Sequence, residues 1–193
     1  YENDEIDLTG VGINDIERVR DPNEPLNADL VETESLDVYY IGFNTQEPPF
    51  NDPKVRKALS MAIDKDLLAN DILVGLVAPA DGILPPRMPG YNDKLKGIEF
   101  NPDEAKRLLD EAGGPDILRD VKLLTPGRGA SPADALQAIT AMWTENLGLS
   151  SDIAIEQEDL GLFLKDIDES NFGLFSLGWI ADYPDPQNFL DIK

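Results

Sequence analysis

The chain has 193 residues, 41% of them hydrophobic and 28% charged, a globular composition long enough for one compact domain with its own core. Its 38 acidic residues against 16 basic ones give a formal net charge of −22, which repels phosphate backbones and anionic headgroups and argues against nucleic acid and direct membrane adhesion. Cysteine and histidine are both absent, so thiol nucleophiles, disulfides, imidazole bases and the usual zinc and copper ligand sets are excluded.

The acidic residues are spread along the chain rather than gathered in a tail, which reads as a solvated surface and also suits a high-salt habitat. No apolar run reaches the length of a membrane span. No basic segment followed by an apolar one opens the chain, and the start at Tyr1 reads as that of a mature or excised piece.

Strand and helix signals alternate, the pattern of an α/β layered domain. Residues 6–11 are expected to form a strand. Asn14 is then expected to cap a short helix over 15–20, stopped at Asp21-Pro22. Residues 38–43 (VYYIGF) are rich in β-branched and aromatic types and predict a strand buried on both faces. After the Pro48-Pro49 loop, Asp52 and Pro53 form a helix start, and Val55, Ala58, Leu59, Ala62 and Ile63 recur at helical spacing. Asp64 reads as the cap of a second helix through Leu67, Leu68 and Leu73, ended by Gly75.

Residues 75–99 are rich in Pro and Gly, with little periodicity, and predict a long surface loop. Asn101-Pro102 opens a helix that Gly113-Gly114 closes. A strand is expected over 121–124. Ser131-Pro132 opens a long amphipathic helix ending near Gly148. Ile153, Ile155 and Gln157 alternate with Ala154 and Glu156 as a strand. Residues 160–167 are helical, and 172–180 form the last strand.

Residues 178–186 (GWIADYPDP) leave that strand and enter a turn fixed by two prolines. Ligands of α/β domains bind in crevices beyond strand ends. Trp179 offers an apolar face with one N–H donor, and Asp182 a fixed negative charge, which together suit a cationic or amine-bearing ligand. The same residues would equally serve as core and as turn cap. Asp166-x-Asp168-x-Ser170 begins like a calcium loop but has Asn171 where glycine is needed and Leu177 where glutamate is needed, so it reads as a solvated helix end. Residues 126–131 (PGRGAS) lack the lysine and spacing of a P-loop and read as a strand-to-helix turn facing the crevice. No nucleophile has a plausible activating base, so the residues make a weak case for an enzyme. A glycosidase-like carboxylate hydrolase remains the rival from a different class.

The order of motifs is more specific than any one of them. EIDL (5–8) is followed by YYIGFNTQEPPFNDPKVRKALSMAIDKDLL (39–68), GILPPRMPGY (82–91), FNPDEAKRLLDEAGG (100–114) and LFSLGWIADYPDPQNFL (174–190). This series, covering nearly the whole chain, resembles the family 5 extracellular solute-binding proteins, which include oligopeptide-, dipeptide- and nickel-binding receptors of ABC importers. The resemblance implies a periplasmic-binding-protein-like (type II) α/β lobe, a mixed β-sheet flanked by helices. Residues 1–193 would form a single domain, the second lobe of a two-lobe receptor whose first lobe lies elsewhere in the same polypeptide.

It further implies a receptor rather than an enzyme, with no cofactor, closing by a hinge around a small peptide outside the cytoplasm and docking on ABC permease subunits in the membrane. Carried over residue by residue, Asp182 pairs with the ligand's α-amino group and Trp179 lines its side-chain pockets. Backbone groups at Gly178 and Ile180 hydrogen-bond the peptide like an added strand. A same-family receptor for an oligosaccharide, opine or metal chelate is the alternative. The helix from Val55 to Asp64 is read as core and helix junction, with Arg56 in a structural ion pair.

Overall fold

The computed structural model describes residues 1–3, 5–127 and 133–191. Four strands, β1 (Asp37–Phe43), β2 (Lys122–Pro126), β3 (Ala154–Glu158) and β4 (Leu174–Ile180), form one sheet in the order β1-β4-β2-β3. β1 is antiparallel to β4, whereas β2 is parallel to both β3 and β4, so the sheet is mixed as expected. Among the described residues the α-helices are α1 (Ile13–Arg20), α2 (Pro53–Met61), α3 (Lys65–Leu67), α4 (Pro102–Glu111), α5 (Asp134–Leu147), α6 (Leu160–Asp168) and α7 (Gln187–Leu190).

The connection through α5 steps outward from β2 to β3, and the one through α6 steps back from β3 past β2 to β4. Right-handed crossovers that run in opposite directions place their helices on opposite faces. The packing agrees. Leu59 of α2, Leu109 of α4 and Trp143 of α5 share one core with Leu123 and Leu174 of the sheet and with Ile153 just before β3. On the other face Phe175 meets Phe163 of α6, with ring centroids 6.4 Å apart.

Capping chemistry sets most helix boundaries. The Asp52 side chain accepts from the Lys54 N–H at 2.8 Å, Asp64 from Leu67 at 2.9 Å and Asn101 from Glu104 at 3.1 Å. Gly148 ends α5 at φ +71°, a left-handed conformation glycine adopts without Cβ strain. Val55, Ala58, Leu59 and Ala62 are all buried, so the α2 motif is core. Arg56, expected in an ion pair, instead donates to the Phe50 carbonyl at 2.5 Å.

Several expectations are corrected. Residues 6–11 form no strand: Ile6 and Leu8 stand in solvent, and no neighbouring strand supplies a ladder for them. Asn14 lies inside α1, where Gly12 holds the cap position. The strand at 38–43 is present but not buried on both faces, because β1 is the sheet edge and Tyr39 is 69% exposed. The helix after Asp64 tightens poorly: α3 passes into a π-helix over Leu68–Ile72, closed by the Leu73 N–H on the Leu68 carbonyl at 3.0 Å. Pro115–Leu118 adds a 3₁₀ turn, and α7 follows the last strand; neither has a periodic signal long enough to read. The expected helix opening at Ser131-Pro132 and most of the turn at 126–131 lie outside the described residues.

Candidate functional site

The register around β4 creates an opening in the sheet. Along β1 its pairing is continuous, from Asp37 opposite Ile180 to Phe43 opposite Leu174. Along β2 it is paired only at Leu174 and Phe175. Beyond that point β2 stays with β3: Pro126 pairs with Glu158, and the Gly127 N–H donates to the Glu158 carbonyl at 2.8 Å. Pro126 carries no N–H to offer in either direction. Among the described residues, the half of β4 from Ser176 to Ile180 therefore has one free edge.

Hydrogen-bond parity decides which residues face that edge. The Ala181 N–H donates to the Leu36 carbonyl and the Asn44 N–H to the Gly173 carbonyl, both at 2.9 Å. Odd-numbered positions of β4 thus bond to β1, and the alternation of an antiparallel pair turns the N–H and C=O groups of Ser176, Gly178 and Ile180 the other way, into the opening. A Cβ on Gly178 would sit 2.5 Å from the exposed Tyr39 ring of the partner strand, which would have to turn aside.

Trp179, one step along, points to the opposite face. Its indole packs beside Val38, Met88 and Phe189, and Nε1 is buried with no hydrogen-bond partner among the described residues. The structure brings the backbone of Gly178 and Ile180 to the opening but puts the Trp179 side chain in this second apolar cluster. The loop carrying Met88 is part of the GILPPRMPGY motif, so two separated sequence motifs meet there.

Asp182 follows the strand at the sheet's C-terminal end and is exposed. Among the described residues its carboxylate has no hydrogen bond or ion pair, so it does not cap the turn. That work is done by two other side chains. Asn188, 8% exposed, accepts from the Asp182 N–H at 3.1 Å and donates to the Tyr183 carbonyl at 3.3 Å. Asp185 accepts from the Gln187 N–H at 2.9 Å. Asn188 and Met88 were not legible as site residues: one is an isolated polar residue beside Phe189, the other a lone apolar residue in a Pro-rich loop.

The end of β3 carries a further carboxylate close to this edge of the sheet. Glu158 Oε2 is buried with no donor among the described residues, and burial, followed by the nearby Asp166 and Glu156 charges, pushes its carboxyl above the ordinary glutamate range. Asp166 accepts from Asn171 Nδ2 at 3.3 Å at the end of α6, in keeping with a solvated helix end. Among the described residues no group of three or more acidic, His or Cys side chains is placed to hold a metal ion.

A mixed sheet with helices on both faces is the architecture of the type II periplasmic binding proteins. The profile of bacterial extracellular solute-binding proteins, family 5 Middle, matches residues 1–193, and the chain belongs to that family. It is 35% identical over 164 residues to heme-binding protein A of Haemophilus influenzae, covering 83% of this chain and 29% of that protein. It is 33% identical over 165 residues to the dipeptide-binding protein of Escherichia coli, covering 83% and 30%. The unliganded open form of the periplasmic murein tripeptide-binding protein MppA superposes with a TM-score of 0.80 at 28% identity, covering 99% of this chain and 37% of that one. The chain thus spans about a third of the length of these relatives.

Proposed function

We propose that the chain forms one ligand-facing lobe of an extracytoplasmic peptide receptor, which hands short peptides to the permease subunits of an ABC importer. The observation that carries this reading is the free half-edge of β4 ending next to the unpaired Asp182 carboxylate. An extended peptide laid along Ser176, Gly178 and Ile180 would gain main-chain hydrogen bonds that any sequence can make, and its α-amino group would reach Asp182. The second cluster, with Trp179, supports the strand from behind while the exposed side of the opening leaves room for varied side chains. The other lobe of the same polypeptide would close over the ligand, and no covalent step is required. The dipeptide- and murein tripeptide-binding relatives support a peptide over a sugar or chelate.

Calorimetric titration of the complete receptor with a pool of short peptides, and with the same pool N-acetylated, tests this. Binding that acetylation weakens by roughly 30-fold or more supports an amine clamp at Asp182, the size expected when one partner of a desolvated charge pair is removed. Asp182→Asn should give a comparable loss for the free peptides. Binding of heme, as the name of the Haemophilus relative would suggest, with no response to either pool would replace the peptide reading.

A further inference from the structure

We infer that Asn188 is the positioning residue of the Asp182 carboxylate, an assignment that rests on the amine-clamp reading above. Among the described residues the Asp182 side chain has no hydrogen bond of its own to orient it, so its direction is set by the backbone that carries it. That backbone is a short turn with prolines at 184 and 186. Each proline fixes its own φ and pushes the preceding residue, Tyr183 or Asp185, towards extended conformations. The freedom that remains is concentrated at Asp182 itself.

The Asn188 carboxamide brackets Asp182 together with Tyr183. Its Oδ1 accepts from the N–H of Asp182 at 3.1 Å, and its Nδ2 donates to the carbonyl of Tyr183 at 3.3 Å. Its own N–H donates to the Asp185 carbonyl at 3.0 Å, which anchors it to the far side of the same turn. The side chain is 8% exposed and sits beside Phe189, which is 1% exposed and belongs to the cluster behind Trp179. An acceptor and a donor on one short planar group are both needed. Asparagine supplies them; aspartate would keep the acceptor and set a negative oxygen against the Tyr183 carbonyl.

Positioning makes a different prediction from mere support of the fold. A loosened Asp182 weakens the ligand's amine contact alone, whereas a damaged fold weakens every ligand. The test measures, in the complete receptor, the ratio of dissociation constants for an N-acetylated and a free-amine version of one short peptide. Wild type, Asp182→Asn, Asn188→Asp and Asn188→Ser are compared, with thermal midpoints recorded for each.

Asn188→Asp should lower the ratio about three- to tenfold, the worth of one hydrogen bond, with affinity for the acetylated peptide unchanged. Asn188→Ser should fall in the same direction. Equal weakening of both peptides, or a wild-type ratio in either folded variant, would overturn the assignment while a collapsed ratio in Asp182→Asn leaves the clamp standing. A wild-type ratio near one would overturn the clamp, and this assignment with it. If both Asn188 variants unfold, hydrogen exchange of the Asp182 amide in the wild type decides: exchange at the rate of an open loop overturns the assignment, and protection upholds it.

Discussion

The indole Nε1 of Trp143 donates to the main-chain carbonyl of Leu59 at 2.9 Å, between the middle of α5 and the last turn of α2. The final carbonyls of a helix have no partner within it. At α2 they are taken up from outside: Leu59 by Trp143, Met61 by the Asn101 N–H at 2.9 Å, and Ala62 by Asn146 Nδ2 at 2.8 Å. One helix end thereby ties α2 to α5 and to the start of α4.

Trp143 is 1% exposed, so its loss leaves both a void and a buried carbonyl without a donor. Trp143→Phe is expected to destabilise by about 2–4 kcal/mol. Asn146→Ala removes the Ala62 bond alone and should cost about 1 kcal/mol. Urea unfolding checks both, with lowered midpoints at unchanged slope. Equal midpoints for Trp143→Phe and wild type would show that the indole bond contributes nothing.

Two glycines face each other's strand across β1 and β4, and they should behave differently. A Cβ on Gly42 would run into the Phe175 ring, and one on Gly178 would meet the Tyr39 ring at 2.5 Å. Phe175 packs against Tyr40, Phe163 and Phe172, with centroids at 6.0, 6.4 and 5.0 Å, so it has less room to turn aside. Tyr39 is 69% exposed and can swing into solvent. Gly42→Ala should therefore destabilise by about 1–3 kcal/mol through overpacking, and Gly178→Ala by less than about 1 kcal/mol. Thermal melts of the two variants side by side give the comparison, and the reverse order would contradict it.

Much of this architecture was legible because local chemistry and hydrophobic period agree. Asp52-Pro53 and Asn101-Pro102 mark helix starts by residue type, and Val55, Ala58 and Leu59 mark the buried face by spacing. What failed depends on neighbours. Residues 6–11 have the apolar content of a strand but no partner, and Tyr39 has strand chemistry but sits at an edge. Within the candidate site, placement depends on neighbours too. Gly178, Ile180 and Asp182 stand out as residues at a strand end, whereas the turning of Trp179 to the far face and the clamp by Asn188 follow from register and contacts six residues apart.

The net charge of −22 should make stability depend on salt. Recorded ion pairs such as Lys54–Glu111 and Lys122–Glu156 are exposed and individually weak. They cannot offset the repulsion among the surplus carboxylates, which acts over about 10 Å at 0.1 M salt. Raising sodium chloride from about 0.05 to about 1 M, the range over which the screening length shrinks to roughly 3 Å, should raise the thermal midpoint. Chloride is preferable to sulfate, which strengthens apolar burial by itself. A midpoint that falls with salt would mean that the ion pairs outweigh the repulsion.

Glu158 gives the clearest dependence on pH. Its carboxyl is held above the ordinary glutamate range by burial first, then by Asp166 and Glu156. A folded state that binds this proton more tightly than the unfolded chain gains stability from it below the unfolded value, and loses that gain as pH rises through the raised folded value. At neutral pH the ionised oxygen, buried without a donor among the described residues, therefore opposes folding. Glu158→Gln keeps the shape and removes the charge, so it should raise the thermal midpoint at pH 7. The advantage should shrink as pH falls into the ordinary glutamate range, where the wild-type residue is protonated too. A variant no more stable than wild type at pH 7 would mean that water or a shifted side chain already satisfies Glu158.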